Sequence, residues 1–444
     1  MKIINGFEEA KQVLSRKVAP QSYAISTSLA ASLKNMFGTD DPAAVVAKIA
    51  EEVRLKGDRA LKNYTKMIDR VEVENIEISP QEILAARVRI SPELLAAIET
   101  AANRIKAFHD RQFKAFNSGV KKMAPGTVAR ILRKVGMYVP GGTASYPSSV
   151  LMTAIPAAAA GVSEIIICTP PGKDGRIPDM TLAAASVAGV NRVFAVGGAQ
   201  AIAAMAYGTE SIPAVDKICG PGNIFVMLAK KLVYGSVDID GLQGPSEVII
   251  IADALADAGW CAGDMLAQAE HDPMAQSILI TTSAELSSAV LRELNLRSVN
   301  LSRNTVIKES LASRGIICVV DNMDQAVELT NLYAPEHLCL YTEHSEMIAR
   351  RINSAGCVFM GTHPTVVMGD YVAGPSHALP TGGTARFASP LNTTDFIRLM
   401  NVVDVDARMM NKYGPVAAII AEAEGLSAHA AVLKLPQMKT RREV

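Results

Sequence analysis

Glutamate and histidine stand side by side at Glu336-His337, where they can supply two proton-transfer groups to one site. The same dipeptide occurs at Glu343-His344, for which we predict a position on a solvated helix face. The dipeptide is therefore weak evidence by itself. Its significance depends on whether other segments of the chain bring residues suited to the same chemistry to one place.

Three further segments pair a histidine with an amide or a carboxylate, which are groups that bind metal ions. The pairs are Gln268 with His271, Asp370 with His377, and Glu424 with His429. Gln268 and His271 are three positions apart in a predicted helix, so their side chains share one face. A catalytic zinc takes nitrogen and oxygen ligands and keeps one position for substrate. None of these spacings matches a compact zinc motif, so each histidine is either a ligand or an ordinary hydrogen-bonded or surface residue.

Glycine-rich turns follow three predicted strands in the middle of the chain. They are 136–142 with Tyr138 and Gly141-Gly142, 196–200 with Gly197-Gly198 and Gln200, and 220–223 with Asn223. Backbone N–H groups at the start of a helix can face an anion, and an aromatic ring can stack on a base. None of the turns is a Gly-x-Gly-x-x-Gly fingerprint or a P-loop. Three such turns at strand ends predict a ligand-binding crevice beside an α/β sheet.

The pattern of the whole chain predicts an α/β fold that would position these residues. About the first 120 residues read as helical, with an apolar stripe that includes Leu94, Ile98 and Ile105. From Val135, short β-branched runs alternate with alanine-rich helical stretches, which is typical of parallel sheets with crossover helices. We predict two such units, at 135–245 and 246–385, with the N-terminal helices packed on the second. Two more helices are predicted around 393–400 and 415–424.

Composition restricts the function further. The 444 residues are 49% hydrophobic, and 44 Lys and Arg balance 44 Asp and Glu, so no basic stripe favours nucleic acid as a partner. The N-terminus turns acidic before a signal-type apolar stretch can form, and the apolar run at 153–162 is too short to span a membrane. The six cysteines are scattered without a Cys-x-x-Cys pair, which indicates buried free thiols. We expect a cytoplasmic protein that contacts neither membrane nor nucleic acid.

Read together, these segments resemble the histidinol dehydrogenase family over nearly the whole chain. The most specific stretches are Gly-Met-Tyr-Val-Pro-Gly-Gly-Thr from 136, Val-Gly-Gly-Ala-Gln from 196, Gly-Pro-Gly-Asn from 220, Gly-Pro-Ser-Glu from 244, Gln-Ala-Glu-His from 268, Ala-Pro-Glu-His-Leu from 334 and Gly-Asp-Tyr-Val-Ala-Gly-Pro-Ser-His from 369. The resemblance implies oxidation of the amino alcohol L-histidinol to L-histidine, through an aldehyde, in two NAD-dependent steps. It also implies Rossmann-like units in an intertwined homodimer.

The resemblance assigns roles to the candidate residues. Zinc would be held by Gln268, His271, Asp370 and His429, the last from the partner subunit. NAD would be contacted by Tyr138, Gln200 and Asn223. Substrate would be faced by Ser246, His337, His377 and Glu424, together with the zinc ligands. His337 would take the alcohol proton as hydride leaves, and Glu336 would then activate the water that attacks the aldehyde.

The pattern and the resemblance together predict a division of the chain into four parts. They are a helical extension at 1–35, a discontinuous α/β domain at 36–137 and 246–385, an NAD-binding α/β domain at 138–245, and a helical extension at 386–444 that reaches the partner's site.

The chain departs from the family's usual pattern in three places. Asp240-Gly241-Leu242-Gln243 precedes the Gly-Pro-Ser-Glu motif, Cys339 stands where glutamate is usual, and 363–367 replaces a Thr-Pro-Glu-Ala segment. These departures leave open a related enzyme that oxidises another small alcohol, such as a dihydroxypropane sulfonate. Two alternatives from other classes are a zinc-dependent hydrolase that uses Glu336 and a non-enzymatic binding protein. A hydrolase would not need the dinucleotide crevice, and a binding protein would not need every acid, base and ligand.

Overall fold

The computed structural model of the chain describes residues 1–16, 25–120, 126–141 and 145–435. These residues form two units, each of which is described by itself. The larger unit comprises 1–116 and 131–397, and the smaller comprises 117–130 and 398–444. In the described residues, no helix is long and apolar enough to cross a membrane.

The strands are numbered in chain order. They are β1 (Lys2–Asn5), β2 (Glu77–Ile78), β3 (Thr127–Ile131), β4 (Lys134–Tyr138), β5 (Glu164–Thr169), β6 (Arg192–Ala195), β7 (Lys217–Cys219), β8 (Asp238–Ile239), β9 (Glu247–Ala252), β10 (Gln276–Thr281), β11 (Ile316–Val319), β12 (His337–Tyr341), β13 (Cys357–Phe359) and β14 (Ile397–Asn401).

The helices are numbered in the same way. They are α1 (Phe7–Leu14), α2 (Thr27–Phe37), α3 (Pro42–Lys56), α4 (Asp58–Tyr64), α5 (Pro80–Arg89), α6 (Pro92–Val120), α7 (Pro147–Ala160), α8 (Asp179–Val187), α9 (Gly198–Tyr207), α10 (Ile224–Val233), α11 (Ala258–Ala269), α12 (Ala284–Ser298), α13 (Asn304–Arg314), α14 (Met323–Tyr333), α15 (Ser345–Ala349), α16 (Val366–Tyr371), α17 (Ala407–Ala423) and α18 (Ser427–Leu433).

Six strands form a parallel sheet, the first sheet, in the order β1-β11-β10-β9-β12-β13. Its central strands are mostly apolar because both faces are covered. In β9, Val248 and Ile250 point into one core, whereas Ile249 and Ile251 point into the core on the other face. Alternating side chains of a strand point to opposite faces, so a strand buried on both sides must be a continuous apolar run.

The second sheet has the order β2-β6-β5-β4-β7-β8 and is parallel except for the edge strand β2. Ile165 and Ile167 of β5 enter one core, and Ile166 and Cys168 enter the other. The predicted α/β class with two parallel-sheet units is therefore confirmed.

The N-terminal helices pack differently from our expectation. Residues of α3 and α4 share one core with α9 and α10, and residues of α5 and α6 share the other with α7 and α8. Both cores belong to the second sheet, so the prediction that these helices pack on the 246–385 unit is wrong. The segment 1–35 also contributes a strand, because β1 pairs with β11 at the edge of the first sheet.

Two further local predictions are wrong. Glu343 and His344 are exposed but lie ahead of α15 rather than within a helix. The helix predicted around 393–400 is a short 3-10 turn at Thr393–Phe396 followed by β14, which pairs with β3. Asn392 begins this turn with a capping box that includes Asp395.

Candidate functional site

The Glu336-His337 pair is buried at the start of β12, beside the start of β9. The backbone of Glu247 forms hydrogen bonds with both side chains. Its N–H donates to Oε2 of Glu336 at 2.8 Å, and its carbonyl lies 3.1 Å from Nδ1 of His337. Because a carbonyl only accepts, Nδ1 of His337 carries the proton and Nε2 presents its lone pair. Nε2 of His337 is therefore the atom that can accept a proton.

Burial shifts the pKa values of His337 and Glu336 in opposite directions. It lowers the pKa of His337 to about 3, with further lowering by His271 and His377 nearby. It raises the pKa of Glu336 well above the ordinary value for a glutamate, and the charges of Glu247 and Asp370 add to this effect. A neutral imidazole is able to accept a proton at neutral pH, and a carboxylate of raised pKa is a stronger base than an exposed one.

Asp370 and His377 stand close to this pair. Oδ1 of Asp370 is 4.0 Å from Nε2 of His337, and burial raises the pKa of Asp370 to about 7. Nδ1 of His377 lies 3.0 Å from the backbone carbonyl of Asp370, which fixes the proton on Nδ1 and leaves Nε2 free. A cavity of about 20 Å³ lies between His337 and His377, with Cys357 and Phe359 also in its wall. It is large enough for a single water molecule.

Gln268 and His271 come to the same end of the first sheet from α11. Gln268 is 2% exposed, and its Nε2 has no hydrogen-bond partner among the described residues. His271 follows the helix, is exposed, and acts electrostatically on His337 and His377. Ser246 is half-buried, and its side chain acts to lower the pKa of Glu336, against the larger effect of burial. The structure therefore brings together six of the predicted residues: Ser246, His271, Glu336, His337, Asp370 and His377. Gln268 lies on α11, which approaches the same end of the first sheet.

These residues provide a donor set that fits a metal ion. Gln268, His271 and Asp370 offer one oxygen or nitrogen each, and the buried amide of Gln268 has an unsatisfied atom. Rotating this amide by half a turn would put Oε1, a metal-binding atom, in the place of the unsatisfied Nε2 without a change of shape. In the part of the chain that the structure describes, no group of three or more His, Cys, Asp or Glu side chains could hold a metal ion. The predicted set has only two such side chains from one chain, because the others are Gln268 and a histidine of the partner subunit.

Glu424 and His429 belong to the smaller unit. Glu424 is the residue at which α17 ends, and His429 lies on α18; both side chains are exposed.

The three predicted NAD contacts lie at the carboxyl ends of β4, β6 and β7 in the second sheet. The Tyr138 hydroxyl accepts a hydrogen bond of 3.1 Å from the N–H of Gly198, which joins the first two turns. Gln200 is 1% exposed, and neither of its amide atoms has a partner among the described residues. Asn223 is exposed and begins α10, since its Oδ1 accepts from the N–H groups of Phe225 and Val226. Gly142, which we placed in the first turn, lies outside the described residues.

Two residues at the site, Glu247 and Arg16, were not predicted from the sequence. Glu247 is 5% exposed, and its carboxylate accepts a 2.6 Å ion pair from Arg16. Arg16 also donates to the carbonyl of Tyr333 and lies over that residue's ring. A glutamate at the head of the apolar run 247–252 was a usable signal, because a buried charge requires a partner. Nothing in the sequence around Arg16 indicates that it is this partner.

Comparison with known proteins gives a consistent result. The family model described as histidinol dehydrogenase matches residues 34–435. The chain belongs to the histidinol dehydrogenase family. A histidinol dehydrogenase of Dehalococcoides mccartyi is 53% identical over 97% of this chain and 98% of its own length. One from Aquifex aeolicus is 48% identical over 88% of this chain and 91% of its own length.

A solved structure of the same family agrees with the fold. The crystal structure of histidinol dehydrogenase from Elizabethkingia anophelis matches with a TM-score of 0.85 and 35% identity, over 98% of this chain and 97% of that one. The chain is accordingly an oxidoreductase, and the hydrolase and binding-protein alternatives are set aside.

Proposed function

We propose that this protein oxidises L-histidinol to L-histidine in two NAD-dependent steps, as a zinc enzyme. The observation that carries the proposal is the position of His337 and Glu336, two proton acceptors held by one backbone unit beside Asp370. The relatives of this chain that are named histidinol dehydrogenase support the choice of substrate.

The residues proposed to hold zinc are Gln268, His271 and Asp370, together with His429 from a second copy of the chain. When bound, zinc would orient the substrate's imidazole and amino nitrogens, and NAD would accept the hydride. Ser246, His377 and Glu424 are proposed to face the substrate. Tyr138, Gln200 and Asn223 are proposed to contact NAD.

His337 acts first in the proposed mechanism. Its Nε2 takes the hydroxyl proton of the alcohol while hydride leaves the carbon that bears this hydroxyl group. The product is the aldehyde. The bond from Nδ1 to the Glu247 carbonyl keeps the lone pair on Nε2 and stabilises the imidazolium that forms.

Glu336 acts in the second half of the reaction. It removes a proton from water as the water oxygen bonds to the aldehyde carbon. His337 returns to the carbonyl oxygen the proton that it took from the alcohol, so the product is a hydrated aldehyde and His337 is again neutral. His337 then takes a hydroxyl proton of the hydrate as a second hydride leaves to NAD, and the acid results. Separate acceptors suit the two steps, because the water and the alcohol approach from different positions.

The smaller unit supports the homodimer in this proposal. Many of its large apolar side chains are exposed, which is characteristic of a surface that another protein covers. The most exposed are Val403, Tyr413, Val416, Ile419, Ile420, Val432 and Leu435, each above 50%. A second copy seated on this surface would bring His429 and Glu424 to its partner's site. The boundaries of the four-part domain division and the cytoplasmic location remain predictions, although the helices of 36–137 share their cores with the second sheet.

The test measures NADH formation by the zinc-loaded protein. L-Histidinol should yield two NADH and one L-histidine per molecule, whereas a dihydroxypropane sulfonate should yield none. Absence of NADH with saturating histidinol, NAD and zinc would refute the proposal. NADH formation with the dihydroxypropane sulfonate but not with L-histidinol would favour the related enzyme that oxidises another small alcohol.

A further inference from the structure

A buried carboxylate near the proposed zinc site connects strand β12 of the first sheet with helices α11 and α16. Asp264 lies on α11 and is 2% exposed. Its Oδ2 accepts 2.8 Å from the hydroxyl of Tyr341, and its Oδ1 accepts 2.6 Å from the hydroxyl of Thr365. The buried thiol of Cys339 also interacts with it electrostatically. Each partner comes from an element other than α11.

Each of these elements also carries one of the proposed site residues. Gln268 follows Asp264 by one helical turn, so both lie on the same side of α11. Cys339 and Tyr341 are two and four positions after His337 in β12, so the three side chains share one face. Thr365 begins α16, which contains Asp370, and its Oγ1 also accepts from the N–H of Val367.

The side chains around this carboxylate are compatible with its charge. The hydroxyl groups of Tyr341 and Thr365 donate hydrogen bonds to it, and the thiol of Cys339 lies near it. Hydrogen bonds of this kind favour the charged form of a buried carboxyl group, whereas a second carboxylate at position 339 would oppose it.

We infer that Asp264 is a positioning residue that sets the spacing of Gln268, His337 and Asp370 by binding the elements that carry them. The inference rests on the proposed function, because the spacing matters only if these side chains serve one site. Asp264 itself touches neither of the proposed proton acceptors. Residues that orient metal ligands in this way affect metal affinity by about 10- to 100-fold when they are replaced.

Zinc affinity, measured by competition with a chromophoric chelator, tests the inference without relying on turnover. Asp264→Asn should weaken zinc binding by about 10- to 100-fold, and Thr365→Val, which removes one hydroxyl of similar size, by about 10-fold. Thr365→Ser should restore the affinity of the parent protein. NADH binding, measured by fluorescence, should be unchanged in all three variants, because the proposed NAD contacts lie on the second sheet.

Ser277→Ala provides the matched control. Ser277 is buried, and its hydroxyl donates 2.9 Å to the carbonyl of Met265 on the same helix α11, but it does not bind Asp264. Equal loss of zinc in Ser277→Ala and Thr365→Val would overturn the inference, since any weakening of α11 would then suffice. If Thr365→Val bound zinc as tightly as the parent protein, the inference about Asp264 would be overturned, and the proposed function would be unaffected. Failure of the parent protein to bind zinc would instead refute the zinc assignment in the proposed function, and the inference with it.

Discussion

Replacing Glu336 by glutamine should separate the two oxidations. Glutamine keeps the shape of the side chain, and its Oε1 can still accept the 2.8 Å bond from the N–H of Glu247. It cannot accept a proton. A positioned general base contributes about 10²- to 10⁴-fold to a rate, which is about 2.7–5.4 kcal/mol of activation free energy. We expect a loss of this size in aldehyde oxidation.

The first oxidation should change little in Glu336→Gln. His337 keeps its bond to the Glu247 carbonyl, so its Nε2 still takes the alcohol proton. The assay follows NADH formation separately from histidinol and from the aldehyde. One NADH per histidinol, with release of aldehyde, is expected from the variant, against two from the parent protein. Aldehyde oxidation at the parent rate would refute the assignment of Glu336.

The pH profile and a control variant sharpen this test. Burial raises the pKa of Glu336, so the parent protein should lose aldehyde oxidation as the pH falls through that raised value, because the base becomes protonated. The variant should lack this step in its profile. Glu343→Gln changes the exposed copy of the same dipeptide and should behave like the parent protein.

Three other predictions concern stability and ligand binding. Lys230→Met should lower the free energy of unfolding by about 3–5 kcal/mol, measured by urea denaturation with circular dichroism, because Asp240 would remain buried without its partner; a loss under 0.5 kcal/mol would contradict this. In the zinc-free protein, burial lowers the pKa of His337 to about 3, so the stability from its neutral form is present above pH 6.5 and is lost as the pH falls, by about 1.4 kcal/mol per pH unit. His337→Asn should be free of this loss, so the stability difference between the two proteins should change with that slope between pH 6.5 and 5; parallel curves would argue against it. Removing zinc with a chelator should abolish histidinol binding in calorimetry but leave NADH binding intact, and loss of both would contradict a separate NAD crevice.

The sequence predicted the sheets better than the helices around them. A strand such as β9 is buried on both faces, so its apolar run is visible without knowledge of its neighbours. The stripe at Ile98 and Ile105 shows only that α6 needs an apolar partner, and many faces would satisfy it. The prediction therefore placed the N-terminal helices on the wrong sheet. The segment at 393–400 was misread because a capping box and two adjacent threonines make a short turn before a strand.

The candidate site shows the same limit. The residues with distinctive chemistry, such as His337 and Asp370, were predicted from their motifs, and the structure places them 4.0 Å apart. Residues that hold them in place were missed because their partners are remote in sequence. Arg16 pairs with Glu247 across 231 positions, and Asp264 pairs with Thr365 across 101. No local pattern records such a pairing.

The pairing of Arg16 with Glu247 has a practical consequence for gene annotation. Met36 is the next methionine after Met1, and a start codon assigned there would delete β1, α1 and Arg16. The product would retain nearly the entire stretch by which the family is recognised, which begins at residue 34. It would nevertheless carry an uncompensated buried carboxylate on the residue whose backbone holds Glu336 and His337. A protein expressed from Met36 would therefore match the family over nearly its whole length and still lack the ion-pair partner of Glu247.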